Sequence, residues 1–127
     1  MADAEAGRAG TPRAAFPRRA RVRKRPEFLR IQTHGRRLTT AHYLLFALPA
    51  VGDVAGRTAR VGVTVSKKVG NAVARNRVKR WVRESCRRLG SVLPPGLDLV
   101  VVARPSAATA GFAPTARELA SLAGKLR

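Results

Sequence analysis

The chain has 127 residues, of which 26 are Lys or Arg and only 7 are Asp or Glu, so its formal net charge is +19. This length allows one domain and a tail. A compact chain with such a charge repels itself, which favours a polyanionic partner, either a nucleic acid or an anionic membrane surface. The single cysteine, Cys86, excludes an internal disulfide and a cysteine-rich zinc site, and its place in a predicted helix suggests a packing role.

No part of the sequence has the pattern of a membrane-spanning helix or a secretory signal. The longest apolar runs, Tyr43–Val51 and Leu97–Ala103, are far shorter than the roughly 20 residues that a bilayer requires. The first 20 residues lack an apolar central region. We therefore expect a cytoplasmic protein with no membrane partner.

Residues 1–20 differ in composition from the rest of the chain. They are rich in Ala, Gly, Arg and Pro, with Phe16 as the main large apolar side chain. Such a segment buries too little surface to offset the entropy lost on ordering. We predict a disordered basic N-terminal arm at 1–20 and a single folded domain at 21–127.

The first half of this domain contains one helical pattern and two strand patterns. A short helix is predicted from Pro26 to His34, with Gly35 just past its end. A strand is predicted at Tyr43–Leu48. The run Arg60–Ser66 alternates valines with small or polar residues, which indicates a half-buried strand with a polar open face.

The second half contains a long helix, a buried strand and a final helix. The helix is predicted from Ala72 to about Leu89, because Asn71 is a good N-cap and the apolar residues share one arc. The valine-rich run Leu97–Arg104 predicts a strand buried on both faces. The spacing of Thr115 and Glu118 predicts a capping box at the start of the last helix. This order indicates an α/β sandwich with a crossover that general rules make right-handed.

The long helix carries an unusual density of positive charge. Seven of the fourteen residues from Arg75 to Arg88 are Lys or Arg, and Glu84 is the only acid among them. An ordinary solvated helix face alternates charges, because like charges such as Lys79 and Arg83, four residues apart, repel by a few tenths of a kcal/mol. The unpaired charge therefore favours a nucleic acid whose phosphates complete the pairing. Arginine also forks onto phosphates and stacks on bases, which suits folded RNA.

A longer motif contains this helix. The run Arg60–Glu84, with Arg75-Asn76-Arg77 at its centre, resembles the signature of the bacterial ribonuclease P protein component. Arg23–Phe28 and His34–Arg37 are similar to the first helix of that family and its exit, and Asp98–Pro105 is similar to its last strand. The resemblance extends from about residue 21 to the end of the sequence.

The resemblance implies a fold and a function. The fold is an α/β (α+β) two-layer sandwich, with a small mixed four-stranded sheet and three helices, and with a left-handed βαβ crossover against the general rule. The function is that of the protein subunit of ribonuclease P, an endoribonuclease of tRNA maturation. Such a subunit binds the catalytic RNA and the 5′ leader of precursor tRNA, and it assists removal of the leader. The implied partners are these two RNAs, with no obligate protein partner.

The family also implies two sets of contact residues. The residues expected to contact RNA are those of the basic helix and the loop before it: Lys67, Lys68, Asn71, Arg75, Asn76, Arg77, Lys79, Arg80 and Arg83. The residues expected to form the leader cleft lie on the first helix and the open sheet face: Phe28, Gln32, Leu44, Phe46, Thr64 and Ser66. Aromatic rings there would stack on unpaired bases. From the residues alone, the interpretation of Phe28 and Phe46 as core residues is favoured over a role in a cleft. Gln32 departs from the family, which often has an aromatic residue at this position.

No catalytic or metal-binding group is evident in the sequence. The acids Glu27, Asp53, Glu84, Asp98 and Glu118 are spread over different predicted elements, without the close pair that two-metal cleavage requires. His34 and His42 have no obvious partner. The resemblance implies that the RNA subunit holds the Mg²⁺ that the holoenzyme requires, and that this chain has no dedicated metal site.

Two other classes of protein share some of these features. A structural RNA-binding protein of ribosomal type would have similar size and charge but no need of a leader cleft. A DNA-binding protein with a basic recognition helix would need a dimerisation surface to match paired half-sites, and none is evident. The long motif at Arg60–Glu84 favours a ribonuclease P protein over both of these classes.

Overall fold

The computed structural model describes residues 21–50 and 59–126, so the predicted arm at 1–20 lies outside the described residues. The described ranges contain four α-helices, one short 3-10 helix (Gly90–Val92) and four strands. In chain order the α-helices and strands are α1 (Arg25–His34), β1 (Arg36–Thr39), β2 (Tyr43–Pro49), β3 (Arg60–Thr64), α2 (Ala72–Leu89), β4 (Leu97–Ala103), α3 (Ala107–Ala110) and α4 (Phe112–Lys125).

The strands form one mixed sheet in the order β1-β2-β4-β3. The β1–β2 and β2–β4 pairs are antiparallel, whereas β3 and β4 are parallel and are connected through α2. The predicted mixed four-stranded sheet is therefore confirmed. The hand of the crossover stays a prediction.

Two parts of the chain differ from the sequence prediction. Strand β1 has the sequence RRLT at the edge of the sheet, and three of its four residues are exposed. Its sequence does not alternate apolar and polar residues, which is the pattern by which a strand is predicted from sequence. The described residues also form four α-helices where three helices were predicted, because the single turn α3 precedes α4. Helix α4 begins at Phe112 rather than at Thr115.

The predicted capping box at Thr115 is wrong, because both of its residues make long-range contacts. Thr115 is buried within α4; its hydroxyl donates to the carbonyl of Gly111 at 2.9 Å and shares a hydrogen bond of 2.7 Å with the Tyr43 hydroxyl. Glu118 accepts a hydrogen bond of 2.9 Å from the backbone N–H of His42 and also contacts its ring Nδ1. His42 therefore has a partner that the sequence did not reveal, and α4 is tied to the turn between β1 and β2.

The hydrophobic core lies on both faces of the sheet. Helices α2 and α4 cover one face, where the buried side chains include Leu45, Leu99, Val101, Val78, Val82 and Leu122. Helix α1 crosses the other face and buries Ile31 against Val100. The central strand β4 is thus buried on both sides, as its valine run predicted. Helix α1 covers only part of this second face of the sheet. The rest of that face is open beside the helix.

Cys86 has the packing role that its position predicted. The Cys86 side chain is on the buried side of α2, in the main hydrophobic core, and 4% of the residue is exposed. Burial raises its pKa to about 12. The thiol is therefore neutral at neutral pH, which agrees with a packing role for this residue.

Gly35 lies where the end of α1 meets the sheet, and it leaves no space for a side chain. A Cβ atom there would be 2.4 Å from the carbonyl oxygen of Ile31 and 3.1 Å from that of Ala47. Because both neighbours are backbone atoms, we expect Gly35→Ala to lower the free energy of unfolding by about 2 kcal/mol, as measured by urea denaturation. Gly124→Ala is the control, since no atom lies within 4 Å of a Cβ built there. A Gly35→Ala protein as stable as this control would contradict the packing described.

Candidate RNA-binding surface

A cluster of four charged side chains fixes α1 on the sheet. The buried carboxylate of Asp98 on β4 accepts hydrogen bonds from Arg60 Nε and Nη2 on β3, both at 2.9 Å. The same carboxylate accepts one from Arg30 Nη2 on α1, also at 2.9 Å. Glu27 of α1 lies 3.0 Å from Arg60 Nη1. Together these contacts attach one side of α1 to both parallel strands.

The protonation of Asp98 depends on this cluster. Burial alone would raise the pKa of the carboxyl group, but hydrogen bonds and charge from Arg60, and then from Arg30, outweigh it, so the pKa lies below its ordinary value. The carboxylate is therefore ionised at neutral pH, and at that pH its hydrogen bonds with Arg60 and Arg30 hold α1 on the sheet.

The other side of α1 faces an open row of side chains on the sheet. The strand register places Leu44 beside Val102, and Val102 beside Thr64, across β2, β4 and β3. These three residues are only partly buried. The next row, Phe46, Val100 and Gly62, lies beneath α1. A surface of mixed apolar and polar character thus runs along the helix.

Phe28 joins the helix to this surface. A Cβ atom on Gly62 would lie 2.6 Å from Phe28 Cε1, so the ring occupies the space that the glycine leaves on β3. The partly buried ring borders a cleft of about 350 Å³ between α1, the end of β3 and α2. The cleft is lined by Arg23, Arg25, Phe28, Leu29, Gln32, Val63, Thr64, Val65 and Lys79.

The structure brings together some of the predicted cleft residues. Phe28, Gln32 and Thr64 line the same cleft. Leu44 lies in the same cross-strand row as Thr64, whereas Phe46 packs against the small core beneath α1. Ser66 is exposed beyond the end of β3 and does not line the cleft.

The sequence left open whether the two aromatic residues belong to the core, and in the structure both of them contact it. Phe28 and Phe46 both pack against the buried cluster of Val22, Ile31 and Val100, but Phe28 also lines the cleft. The sequence analysis did not predict three residues of the cleft: Leu29, which is 50% exposed, Arg23 before α1, and Arg25 at the first position of α1. Because Leu29 fits an apolar helical face, its exposure could not be foreseen.

Helix α2 is built as the sequence indicated. Asn71 caps it by accepting a hydrogen bond of 2.9 Å from the backbone N–H of Ala74, and Val78, Val82 and Ser85 are buried. Its free N–H groups and the two exposed lysines of the preceding turn, Lys67 and Lys68, form a positive corner.

The cations of α2 fall into a paired and an unpaired group. Arg87 and Arg88 both contact Glu84, at 2.5 and 3.0 Å. Among the residues that the structure describes, the cations predicted to contact RNA form no ion pair with a carboxylate: Lys67, Lys68, Arg75, Arg77, Lys79, Arg80 and Arg83. The positive charge at the C-terminal end of α2 is thus partly compensated by Glu84, and the other cations of the helix stay available to a ligand.

The described carboxylates have structural partners. Glu27, Glu84, Asp98 and Glu118 each form an ion pair or hydrogen bonds with a basic side chain. Within residues 21–50 and 59–126, no three His, Cys, Asp or Glu side chains are grouped as a metal site would require. These four carboxylates therefore do not fit a Mg²⁺ site. In the same ranges no helix is long and apolar enough to cross a bilayer.

A mixed sheet with a basic helix and an adjoining cleft defines a small α+β domain suited to binding a polyanion. Comparison with known proteins identifies its family. The model of the Ribonuclease P family matches residues 16–127. The ribonuclease P protein component of Desulfovibrio desulfuricans is 45% identical over 112 residues, which cover 87% of this chain and 85% of that protein. The protein component of Citrifermentans bemidjiense is 40% identical over 112 residues, or 88% and 92% of the two chains.

Solved structures agree with the sequence relatives. The RNase P protein from Thermotoga maritima superposes with a TM-score of 0.73 at 32% identity, covering 84% of this chain and 97% of that one. The RNase P protein of Staphylococcus aureus gives a TM-score of 0.71 at 28% identity, covering 84% and 94%.

The chain belongs to the ribonuclease P protein family. This confirms the resemblance seen in the sequence, and with it the role of a ribonuclease P subunit in tRNA processing. The alternative of a structural RNA-binding protein of ribosomal type is not favoured.

Proposed function

We propose that the chain docks on the catalytic RNA of ribonuclease P through the exposed basic side of α2 and the turn before it. The observation that carries this proposal is the unpaired positive charge of α2. Arginine residues that form no ion pair with a carboxylate repel one another in the free protein, and phosphate groups would relieve that repulsion. Arg75 supports the proposal, because its Nε is buried without a hydrogen-bond partner among the described residues, an arrangement that does not favour stability.

The cleft beside α1 holds the 5′ leader of precursor tRNA in this proposal. An unpaired base can stack on Phe28, which is worth about 1–3 kcal/mol per base and is tolerant of sequence. Gln32 and Thr64 add hydrogen-bonding groups at the same cleft. Because Gln32 offers an amide rather than a ring, hydrogen bonds replace stacking at its position.

Cleavage itself belongs to the RNA subunit, with its Mg²⁺, in this proposal. The carboxylates described here are held by arginine or histidine and are poorly suited to holding a metal ion. The protein contributes positive charge that offsets repulsion between the two RNAs and raises the affinity for the substrate. The protein would act in the cytoplasm, where tRNA precursors are processed.

Reconstitution tests the function. The full chain is mixed with a bacterial ribonuclease P RNA and a precursor tRNA at low Mg²⁺, and release of the 5′ leader is measured. We expect faster cleavage and tighter substrate binding than with the RNA alone. If the protein changed neither the cleavage rate nor the binding of precursor, it would not act as the subunit proposed.

Phe28→Ala tests the leader cleft in the same assay. We expect the dissociation constant of the holoenzyme for precursor tRNA to rise about tenfold, while that for mature tRNA stays about the same, because only the precursor has a leader to stack on the ring. The control is Phe112→Ala, which removes another partly buried ring, one that lies 4.9 Å from the guanidinium carbon of Arg88 on the far side of α2. Equal losses for precursor and mature tRNA with Phe28→Ala would reject the cleft.

A further inference from the structure

Helix α1 runs across three strands of the sheet. Phe28 near its start packs against β3, Ile31 in its middle packs against β4, and Gly35 just past its end lies against β2. Of the residues of α1, all of which the structure describes, only Ile31 is fully buried. A helix with one fully buried side chain can roll about its own axis, so apolar packing alone does not fix the rotation of α1.

The two flanks of α1 have different neighbours. Residues two apart on a helix point about 160° away from each other. Glu27 and Arg30 contact charged side chains of the sheet on one flank. Leu29 and Gln32, each two residues further along the helix, line the leader cleft. The charged contacts and the cleft therefore lie on opposite flanks of the same helix.

The sheet repeats this arrangement beneath the helix. Asp98 lies beside Arg60 in the strand register, and the row two residues further along, with Val100 and Gly62, lies beneath α1. The row two residues beyond that contains Thr64, which lines the cleft. A roll of α1 that lifts one flank from the charged row therefore changes the width of the cleft on the other flank.

The charged row supplies the directional contacts that apolar packing lacks. Arg60 Nε and Nη2 both donate to the Asp98 carboxylate at 2.9 Å, which makes a planar, two-bond pair on the sheet. Arg30 donates to the same carboxylate at 2.9 Å. Glu27 lies 3.0 Å from Arg60 Nη1. Two residues of α1, one turn apart, are thus attached to one rigid pair, and two points of attachment fix the rotation of the helix.

We propose that Asp98 is a positioning residue for the 5′ leader, because its cluster holds α1 at the rotation that keeps Phe28 and Gln32 at the cleft. This inference rests on the proposed function. Asp98 itself makes no contact with the leader, since its side chain is 1% exposed and does not line the cleft. If loss of the cluster lowered the population of that rotation to about a tenth, the apparent dissociation constant for the leader would rise about tenfold.

Asp98→Asn in the reconstituted holoenzyme tests the inference, at a temperature where circular dichroism shows the variant to be folded. We expect the dissociation constant for precursor tRNA to rise about five- to tenfold, while that for mature tRNA and the affinity for the RNA subunit stay about the same. Removal of a carboxylate makes the protein more positive, so charge alone would strengthen the binding of both RNAs. Unchanged precursor binding, or equal losses for precursor and mature tRNA, would overturn the inference.

Glu27→Gln keeps the test decisive if Asp98→Asn folds poorly. The side chain of Glu27 is 30% exposed, so an amide is tolerated there. We expect a selective loss of precursor binding of about threefold, because one of the two points of attachment remains. Glu84→Gln is the matched control, since it removes the same charge from α2, where the carboxylate contacts Arg87 and Arg88. The same selective loss in Glu84→Gln would count against the inference.

Leu122→Ala separates positioning from a general loss of stability. Leu122 is buried in the main core, on the face of the sheet that α1 does not cover. Its truncation destabilises the domain without removing a contact of α1, and urea denaturation compares the loss with that of Asp98→Asn. We expect Leu122→Ala to keep the wild-type preference for precursor. If this variant lost that preference as well, the preference would follow stability and not the position of α1.

A double variant shows whether Asp98 acts through the cleft. When Phe28→Ala already lacks the ring, Asp98→Asn should weaken precursor binding little further, because the two residues belong to one coupled unit. If the two losses multiply, Asp98 affects leader binding by another route and the inference is rejected.

Failure of this inference is distinguishable from failure of the proposed function. If the wild-type holoenzyme does not prefer precursor over mature tRNA, the leader cleft itself is rejected. If the wild type shows that preference and both carboxylate variants of the cluster retain it in full, only the positioning role of Asp98 is rejected.

Discussion

Replacing Asp98 by Asn is expected to lower the free energy of unfolding by about 3 kcal/mol. The carboxylate has 1% of its side chain exposed and accepts hydrogen bonds from two arginines on different elements. The neutral amide keeps the volume but removes the charge that both guanidinium groups require. Since these guanidinium groups are 19% and 28% exposed, water compensates in part, and the loss lies at the lower end for a broken buried ion pair. Urea denaturation at neutral pH measures it.

Glu84→Gln is the matched control for Asp98→Asn. It also converts a carboxylate that contacts two arginines into an amide, but at a partly exposed site on the surface of α2. Surface ion pairs contribute about 0–1 kcal/mol, so this variant should remain close to the wild type. Equal losses from the two substitutions would show that the Asp98 cluster does not hold α1 on the sheet.

The Asp98 cluster also predicts how stability depends on pH. Because the pKa of Asp98 is lowered from its ordinary value of 3.8, the unfolded chain binds the proton more tightly than the folded one. The stabilising contribution is therefore present above about pH 4 and is lost as the pH falls below it. Asp98→Asn lacks this contribution at every pH, so its stability should fall less steeply than that of the wild type under acidic conditions.

The double substitution of Arg75 and Arg77 by Ala is expected to weaken binding of the RNA subunit by about a hundredfold. Neither residue has an ion-pair partner in the described part of the chain, and each guanidinium can make charge-assisted hydrogen bonds to phosphate. The slope of log affinity against log salt should fall by about two, one for each lost contact. Filter binding across a salt series measures both quantities.

Arg87 and Arg88 provide the control for the double substitution. They lie on the same helix, and their replacement by Gln removes the same charge, but both contact Glu84 in the free protein. We expect a much smaller loss of affinity from that pair. If both double variants lost equal affinity, binding would depend on net charge alone rather than on the unpaired face of α2.

Local patterns in the sequence predicted most of the regular elements. The Asn71 cap and the apolar arc placed α2, the alternating valines placed β3, and the continuous apolar run placed β4 at the centre of the sheet. Strand β1 was missed because a four-residue polar edge strand carries no periodic signal. Each success rests on a pattern within one segment of the chain.

Contacts between distant segments could not be predicted in this way. Asp98 and Arg30 are 68 residues apart, and Glu118 and His42 are 76 apart, so only the folded topology brings them together. Thr115 misled the prediction for the same reason, since its hydroxyl bonds a tyrosine on the sheet instead of starting a helix. The docking and cleft residues came from the family resemblance, and their roles stay predictions.

The position of β4 in the sheet constrains when the protein can fold during its synthesis. This strand comes late in the sequence yet lies between β2 and β3, which have no direct pairing with each other. A nascent chain that ends before residue 97 lacks β4 and can therefore form neither the β2–β4 pairing nor the β3–β4 pairing. Such dependence on sequence-distant pairing slows folding. The sheet is completed only after β4 has been synthesised, and the basic α2, which precedes β4 in the sequence, leaves the ribosome before its sheet is complete.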